Sequence, residues 1–298
     1  MILLTGATSQ VGQVLVKKLK NRDEKIRCFV RKTSKIEKIK SNNIEFCYGD
    51  FSDKESIKKA LDGVDYLIHL GGIWYADRFL SVLDEDNRKI AKAIFVGSTS
   101  RFQKVNSEDE KELDIVKKMM SAEKVINESK QNTVILRPTM LYGIDRDKNV
   151  LKLIKIMDKI HMFPIIGQGN GMKQPVHVDD LADAIISVMY NENIVKNEYN
   201  IPGKSPIEYN DMIRAIKNNL HKPVIVMHIP VWLAEVGFAI YKRINPKTIV
   251  NKAMVKRVDK SYIFSYDEAK KDFQYSPMNF EDGVKKQIAY LKENGTIK

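Results

Sequence analysis

Residues 1–19 read Met1-Ile2-Leu3-Leu4-Thr5-Gly6-Ala7-Thr8-Ser9-Gln10-Val11-Gly12-Gln13-Val14-Leu15-Val16-Lys17-Lys18-Leu19. Apolar residues of strand character run into a turn with a glycine near each end, and an amphipathic helical pattern follows at once. Gly6 permits a tight strand-to-helix turn, and Gly12 lets the helix lie close on the strand. The unpaired N–H groups at the helix start favour an anion such as a pyrophosphate. A glycine motif alone says little; between a first strand and an amphipathic helix it sits where its mechanism requires it. The residues that would face a dinucleotide are therefore Gly6, Thr8, Ser9, Gln10, Val11 and Gly12. Ser9 stands where a middle glycine is usual, and its side chain either crowds the pyrophosphate or donates a hydrogen bond to it.

Beyond this turn, Ile26–Val30, Ile44–Tyr48, Tyr66–Leu70, Ala93–Gly97 and Thr133–Leu136 read as further short apolar strands, most of them separated by helical patterns. Strands alternating with helices build parallel units with right-handed crossovers and helices on both faces of the sheet. The expected fold is α/β, a doubly wound parallel sheet of Rossmann type. After Gly143 the alternation fades, and helices are expected at Val150–Ile160, Asp179–Tyr190, Tyr209–Leu220 and Phe280–Glu293. The expected organisation is a dinucleotide-binding domain over residues 1–143, with segments returning to it from later in the chain, and a smaller substrate-capping region over 144–298.

The 298 residues are 43% hydrophobic, enough for a substantial core. No apolar stretch reaches the roughly 18 residues of a membrane span. With no leader ahead of the first strand, a cytoplasmic location is expected. Val231–Arg243 is an apolar helical pattern with a basic end; core packing is the expectation, and a peripheral membrane contact is the alternative. The formal charge of +12 comes from lysines spread along helical segments beside glutamates, which reads as a solvated surface and not as a nucleic-acid site. Cys28 and Cys47 lie inside apolar strands and read as buried thiols. No Cys/His or carboxylate cluster has metal-ligand spacing, so no metal is expected.

Several later motifs join the glycine turn: Gly49-Asp50-Phe51, His69-Leu70-Gly71-Gly72, Ser98, Leu136-Arg137-Pro138-Thr139 with Tyr142-Gly143, and Gln174-Pro175-Val176-His177-Val178-Asp179-Asp180-Leu181-Ala182. In this order they resemble the short-chain dehydrogenase/reductase superfamily, in its extended and atypical NAD-dependent epimerase/dehydratase branch. Tyr199-Asn200-Ile201 resembles the later strand of that branch's substrate region. The resemblance implies that Asp50 and Phe51 flank an adenine, that Leu70, Gly71 and Gly72 pass close to the cofactor, and that Pro138 lies near the nicotinamide. It also implies a nucleotide-linked or lipid-linked sugar as substrate and a homodimer formed through helices flanking the sheet. Arg31, with Lys32, stands where NAD-preferring relatives carry an acid, which favours NADP because a guanidinium pairs well with a 2′-phosphate.

The chain departs from the family at the catalytic pair. Relatives place a tyrosine and a lysine four residues apart on one helix face, so that the lysine lowers the phenol's pKa. With Ala122-Glu123 as the helix landmark, Ile115 and Met119 occupy those two places; a register using Lys124 puts Met120 at the tyrosine. No tyrosine occurs between Ser98 and Leu136. Ser98 matches the hydroxyl that polarises the reacting oxygen, and equally fits a turn cap. Tyr142 is the nearest replacement phenol. Asp145, Lys148 and Asn149, with Gln174, are candidates for holding substrate, and His177 reads as a structural histidine. Two functions follow: an NAD(P)-dependent epimerase, reductase or dehydratase of a sugar, or a noncatalytic NAD(P)-binding redox sensor acting on a protein partner.

Overall fold

Every residue of β1 (Ile2–Thr5) is buried, as a central strand covered on both faces must be. A computed structural model of the protein describes residues 1–147, 149–244 and 260–298. β1 pairs in parallel with β2 (Ile26–Val30) on one side and β4 (Tyr66–His69) on the other, with Ile2 opposite both Ile26 and Tyr66. β3 (Ile44–Tyr48) lies outside β2, and β5 (Lys92–Val96) and β6 (Thr133–Pro138) continue beyond β4.

The seventh strand differs from expectation. Tyr199-Asn200-Ile201 belongs to β11 (Glu198–Ile201), which pairs in parallel with β6 and closes the edge of this central sheet, not a substrate region. Its alternating exposure, with Tyr199 and Ile201 buried and Glu198 and Asn200 half-buried, is that of an edge strand covered on one face. The order is β3-β2-β1-β4-β5-β6-β11, so the direction of winding reverses between β1 and β4.

Helices cover both faces. α1 (Gln10–Lys20) and α7 (Val178–Tyr190) bury Val11, Leu15, Leu19, Leu181 and Ile185 on one side. On the other, α2 (Lys54–Ala60), α3 (Ala76–Glu85) and α5 (Glu110–Asn127) bury Ile57, Phe79, Leu83 and Ile126. Buried Lys92 sits at the C-terminal end of α7 and donates to the carbonyls of Val188 (2.7 Å) and Asn191 (2.6 Å), a cation where the helix dipole is negative. Cys28 and Cys47 are buried free thiols, and burial pushes that of Cys28 up to about 12.

The second core is formed by α6 (Val150–Ile160), α8 (Tyr209–Leu220) and α11 (Phe280–Glu293), whose Ile154, Met157, Ile213, Ile216, Val284 and Leu291 interdigitate. Two-stranded pairings flank it: β7 (Leu141–Tyr142) with β10 (Val176–His177), and β8 (Met162–Ile166) with β13 (Ile225–Ile229). Val231–Ile244 is helical, but its first turns are not packed in a core: Trp232 is 66% exposed, and Leu233 and Val236 are exposed with it. Among the described residues, no helix is long and apolar enough to cross a membrane.

Candidate functional site

A cavity of about 330 Å³ opens at the C-terminal edge of the sheet, where the winding reverses. In a doubly wound sheet that switch point is where ligands bind. The turn after β1 forms one wall. Gly6 has φ +68°, and a Cβ there would lie 3.0 Å from the backbone of Leu70 in the loop after β4. At Gly12 a Cβ would come within 2.4 Å of the Gly6 carbonyl oxygen, so only glycine lets α1 approach the turn this closely.

Ser9 neither crowds the cavity nor points away from the helix. Its Oγ accepts from the Gly12 N–H at 3.1 Å and caps α1, while its carbonyl takes the Gln13 N–H. The N–H groups of Gln10 and Val11 are left with no protein acceptor among the described residues, as the first turn of a helix requires of an anion cradle.

The other walls bring together residues from three further loops. Arg31 and Ser34 follow β2, where the Ser34 hydroxyl accepts the Arg31 N–H at 3.1 Å and shapes the turn. Asp50 and Phe51 follow β3. Asp50 accepts from the Ser52 hydroxyl (2.7 Å) and N–H (2.9 Å), and these bonds hold its carboxyl below the usual range, with Arg31 adding a smaller pull. Gly71 and Tyr75 follow β4, and the Tyr75 ring lies 5.1 Å from that of Phe51.

Beneath them, His69 is fully buried, with Nδ1 2.9 Å from the Thr5 hydroxyl and Nε2 3.0 Å from the Gly72 carbonyl oxygen. Burial lowers its pKa to about 4, so the ring is neutral and pins the Gly71-Gly72 loop to β1.

Of the cofactor residues named from sequence, Gly6, Thr8, Arg31, Asp50, Phe51 and Gly71 line this one cavity; Leu70 and Gly72 do not, and a Cβ at Gly72 would meet the Trp74 ring. Ala7, Ser34 and Tyr75 also line it and were not foreseen. They are ordinary residues made relevant only by where the loops converge. Ser98 and Pro138 stand at the ends of β5 and β6 on the same edge of the sheet. The Pro138 carbonyl accepts from the Thr99 N–H (3.1 Å) and hydroxyl (3.3 Å), joining the two loops. Ser98 Oγ accepts the Ser100 N–H at 3.1 Å, a turn cap that leaves its own proton free to donate.

On α5, Ile115 is 40% exposed and Met119 is buried with its sulfur 4.0 Å from the Ser100 hydroxyl; neither can hold a proton. One turn on, buried Glu123 grips Arg137 of β6 through two bonds of 2.9 Å, with Arg101 2.6 Å from the same carboxylate and Glu198 also on Arg137. α5 is thus anchored on the sheet through Glu123.

Tyr142, Gln174 and Asp145 are engaged with other parts of the chain. Tyr142 is 1% exposed in the second core; its hydroxyl reaches only the Phe280 carbonyl at 3.5 Å, and burial drives the phenol's pKa far above its ordinary value. Gln174 donates to the Gly203 carbonyl (2.9 Å) and accepts the Phe264 N–H (2.9 Å), so its amide is engaged within the chain. Asp145 pairs with Lys38 at 2.6 Å, and Arg146 beside it donates to the Thr8 carbonyl on the glycine turn. Asn149 is exposed and gives its N–H to the buried Asp147, which caps α6; Lys148 lies outside the described residues.

Residues 2–202 match the sequence pattern of the NAD dependent epimerase/dehydratase family. The chain belongs to this family. This epimerase/dehydratase-family chain is 36% identical over 101 residues to sterol demethylase protein B of Methylococcus capsulatus, a match taking in 34% of the chain and spanning less than a third of that relative's length. It is 22% identical to N-acetyl-alpha-D-glucosaminyl-diphospho-ditrans,octacis-undecaprenol 4-epimerase of Escherichia coli O157:H7, over 97% of this chain and 94% of that one. Its fold is similar to that of UDP-glucuronic acid 4-epimerase from Bacillus cereus, solved with UDP-glucuronic acid and NAD. There the TM-score is 0.75 at 19% identity, over 98% of this chain and 99% of that one.

Proposed function

We propose that the chain binds NAD(P), with NADP ahead of NAD, and acts as an epimerase, reductase or dehydratase on a nucleotide-linked or lipid-linked sugar. The observation that carries this reading is the open cavity at the switch point, bounded by the glycine turn, with Ser98 and Pro138 on the same edge of the sheet. A bound nicotinamide supplies reversible hydride transfer. The N–H groups of Gln10 and Val11 would hold the pyrophosphate, and Phe51 with Tyr75 would flank the base. Arg31 supports the NADP preference, because it lines the cavity beside the Ser34 hydroxyl with no acid at the end of β2. Ser98 would donate to the reacting oxygen of the sugar. With Ile115 and Met119 on α5, the proton that relatives handle through a phenol is exchanged with water or with the substrate.

A second reading, a noncatalytic NAD(P)-binding sensor with a protein partner, is favoured by that same replacement together with the burial of Tyr142. Titration with NADPH and NADH, followed by nicotinamide fluorescence and repeated with UDP-, dTDP- and lipid-linked sugars, separates the two. A sugar-dependent change in the bound cofactor that is lost in Ser98→Ala supports the enzyme. Cofactor binding indifferent to every sugar supports the sensor, and binding of neither nucleotide overturns both.

A further inference from the structure

A second cavity, about 640 Å³ in volume, lies outside the cofactor site and shares none of its lining residues. It runs along α1, between the segment joining β2 to β3, the Gly143-Ile144 corner and α11. Its volume falls in the range of small-molecule sites. Six lysines rim it: Lys17, Lys18, Lys20, Lys38, Lys40 and Lys286. Lys18 pairs with Asp183 at 2.8 Å, Lys38 with Asp145 at 2.6 Å, and Lys286 with Asp179. Lys17, Lys20 and Lys40 have no ion pair among the described residues. All three are exposed at its rim, and three unmatched ammonium groups around one concavity raise the local concentration of anions. The floor is apolar, with Val14, Ile39, Ile144 and Tyr290.

An independent observation comes from His177, which forms part of the wall. It is 2% exposed, and its Nδ1 accepts the Asp179 N–H at 3.2 Å. Burial lowers its pKa to about 4, so the ring is neutral, and with Nδ1 accepting, the proton sits on Nε2. That Nε2–H has no acceptor among the described residues and lies against Gly143, which lines the same cavity. A buried donor without a partner is costly and marks a place where an acceptor is missing.

We propose that this groove is a second ligand site, for an organic polyphosphate of nucleotide size. Its phosphates lie among Lys17, Lys20 and Lys40, its planar body rests on the apolar floor beside Tyr290, and an acceptor atom takes the His177 Nε2–H. The site is separate from dinucleotide binding and works whether or not the family chemistry is retained.

The test uses the full chain without NADP, which is itself an organic polyphosphate and would compete for the groove; Arg31→Glu, outside the groove, reports on ATP held at the other cavity. Calorimetric titration with ATP gives one saturable site, and inorganic triphosphate, lacking the body, binds at least about fivefold more weakly. Lys17→Glu with Lys40→Glu weakens ATP by about tenfold or more, whereas Arg31→Glu weakens it less than about twofold. The control Lys152→Glu with Lys155→Glu makes the same change of net charge on exposed α6 residues away from the groove, and alters ATP binding less than about twofold. The proposal is overturned if ATP shows no saturable binding, if Arg31→Glu or the control pair weakens it as much as the groove pair, or if triphosphate binds as well as ATP.

Discussion

Replacing Gly12 by alanine tests the close approach on which the cofactor cradle depends. The new Cβ would lie 2.4 Å from the Gly6 carbonyl oxygen and 2.5 Å from that of Ala7, where ordinary contact begins near 3.4 Å. All of the neighbouring atoms are backbone, so no side chain can swing aside, and the start of α1 must retreat by about 1 Å. A gap of that size forfeits a quarter to a half of the dispersion attraction along the helix, whose Leu15 and Leu19 are fully buried. Overpacking of this kind costs about 1–3 kcal/mol, and for a chain of this length the melting temperature falls by about 2–5 °C. The same retreat draws the Gln10 and Val11 N–H groups out of hydrogen-bond range of a pyrophosphate, and NADP affinity falls by about a hundredfold.

The assays are urea unfolding followed by circular dichroism, and NADPH fluorescence titration. Gly237→Ala is the internal control, since nothing lies within 4 Å of a Cβ there and the residue is inside a helix. It gains about 0.5–1 kcal/mol and leaves cofactor affinity unchanged. A Gly12→Ala protein with the wild-type midpoint and NADP affinity would refute the steric account of the turn.

Arg137→Met removes two bonds from the buried Glu123 carboxylate, leaving it only the Arg101 pair among those described, and lowers stability by about 2 kcal/mol in urea unfolding; adding Glu123→Gln recovers part of the loss, and a single variant as stable as the wild type contradicts the anchoring role. Arg31→Asp moves cofactor preference from NADP toward NAD by about tenfold or more in the ratio of dissociation constants, and an unchanged ratio removes Arg31 from the cofactor's ribose. Asp180 has its pKa raised by burial to about 7, so the stability it contributes is full below its unfolded value near 4 and is lost as pH rises through 7. Asp180→Asn is therefore more stable than wild type by about 2 kcal/mol at pH 8, with the difference vanishing toward pH 4; a pH-independent difference rejects the assignment. His69 has the opposite sign. Its pKa is depressed, so the unfolded chain takes up the proton first, and its contribution is full above pH 6.5 and lost as pH falls toward 4. Unfolding free energies of His69→Gln and wild type converge over that window if this is right, and run parallel if it is not.

What the sequence makes legible here depends on whether the physical cause is local. The strands from Ile2 to Leu136 show as apolar runs because both faces of the sheet are covered, and the helix patterns at Val150–Ile160 and Tyr209–Leu220 recur with those limits in the structure. Glu198–Ile201 is harder to place, because an edge strand alternates and looks like any half-covered segment. The glycine turn is legible because its constraint is steric and confined to the short stretch from Gly6 to Gly12. Gln174, Tyr142 and the 145–149 loop, which contains Asp147, look functional in sequence because polar groups near a cleft are natural candidates. Their partners Phe264, Gln287 and Phe280 come from 90 to 140 residues away, and no local pattern announces them.

We propose that Ile115 and Met119 of α5 stand where the resemblance implies a phenol and an ammonium. A helix with no remaining role at the cleft would need no fixed grip on the sheet. Instead Glu123 remains buried, bonded to Arg137 and bridged to Arg101, and Arg137 reaches on to Glu198 in β11. A buried charge network is costly unless every member is paired, so it tolerates little displacement of the helix. Introducing the pair as Ile115→Tyr with Met119→Lys, in the register that the Ala122-Glu123 landmark implies, therefore places both groups on a helix held firmly against the sheet. The introduced ammonium would enter the place of Met119, which is 7% exposed, and desolvation there lowers its pKa. The double variant should acquire cofactor-dependent turnover of a nucleotide sugar, or raise existing turnover by about tenfold or more, while Ile115→Tyr alone does much less. Steady-state assays with UDP-sugars decide it. A folded, NADP-binding double variant with no gain would show that the substrate side of the cleft, and not only the proton relay, has been rebuilt for another purpose.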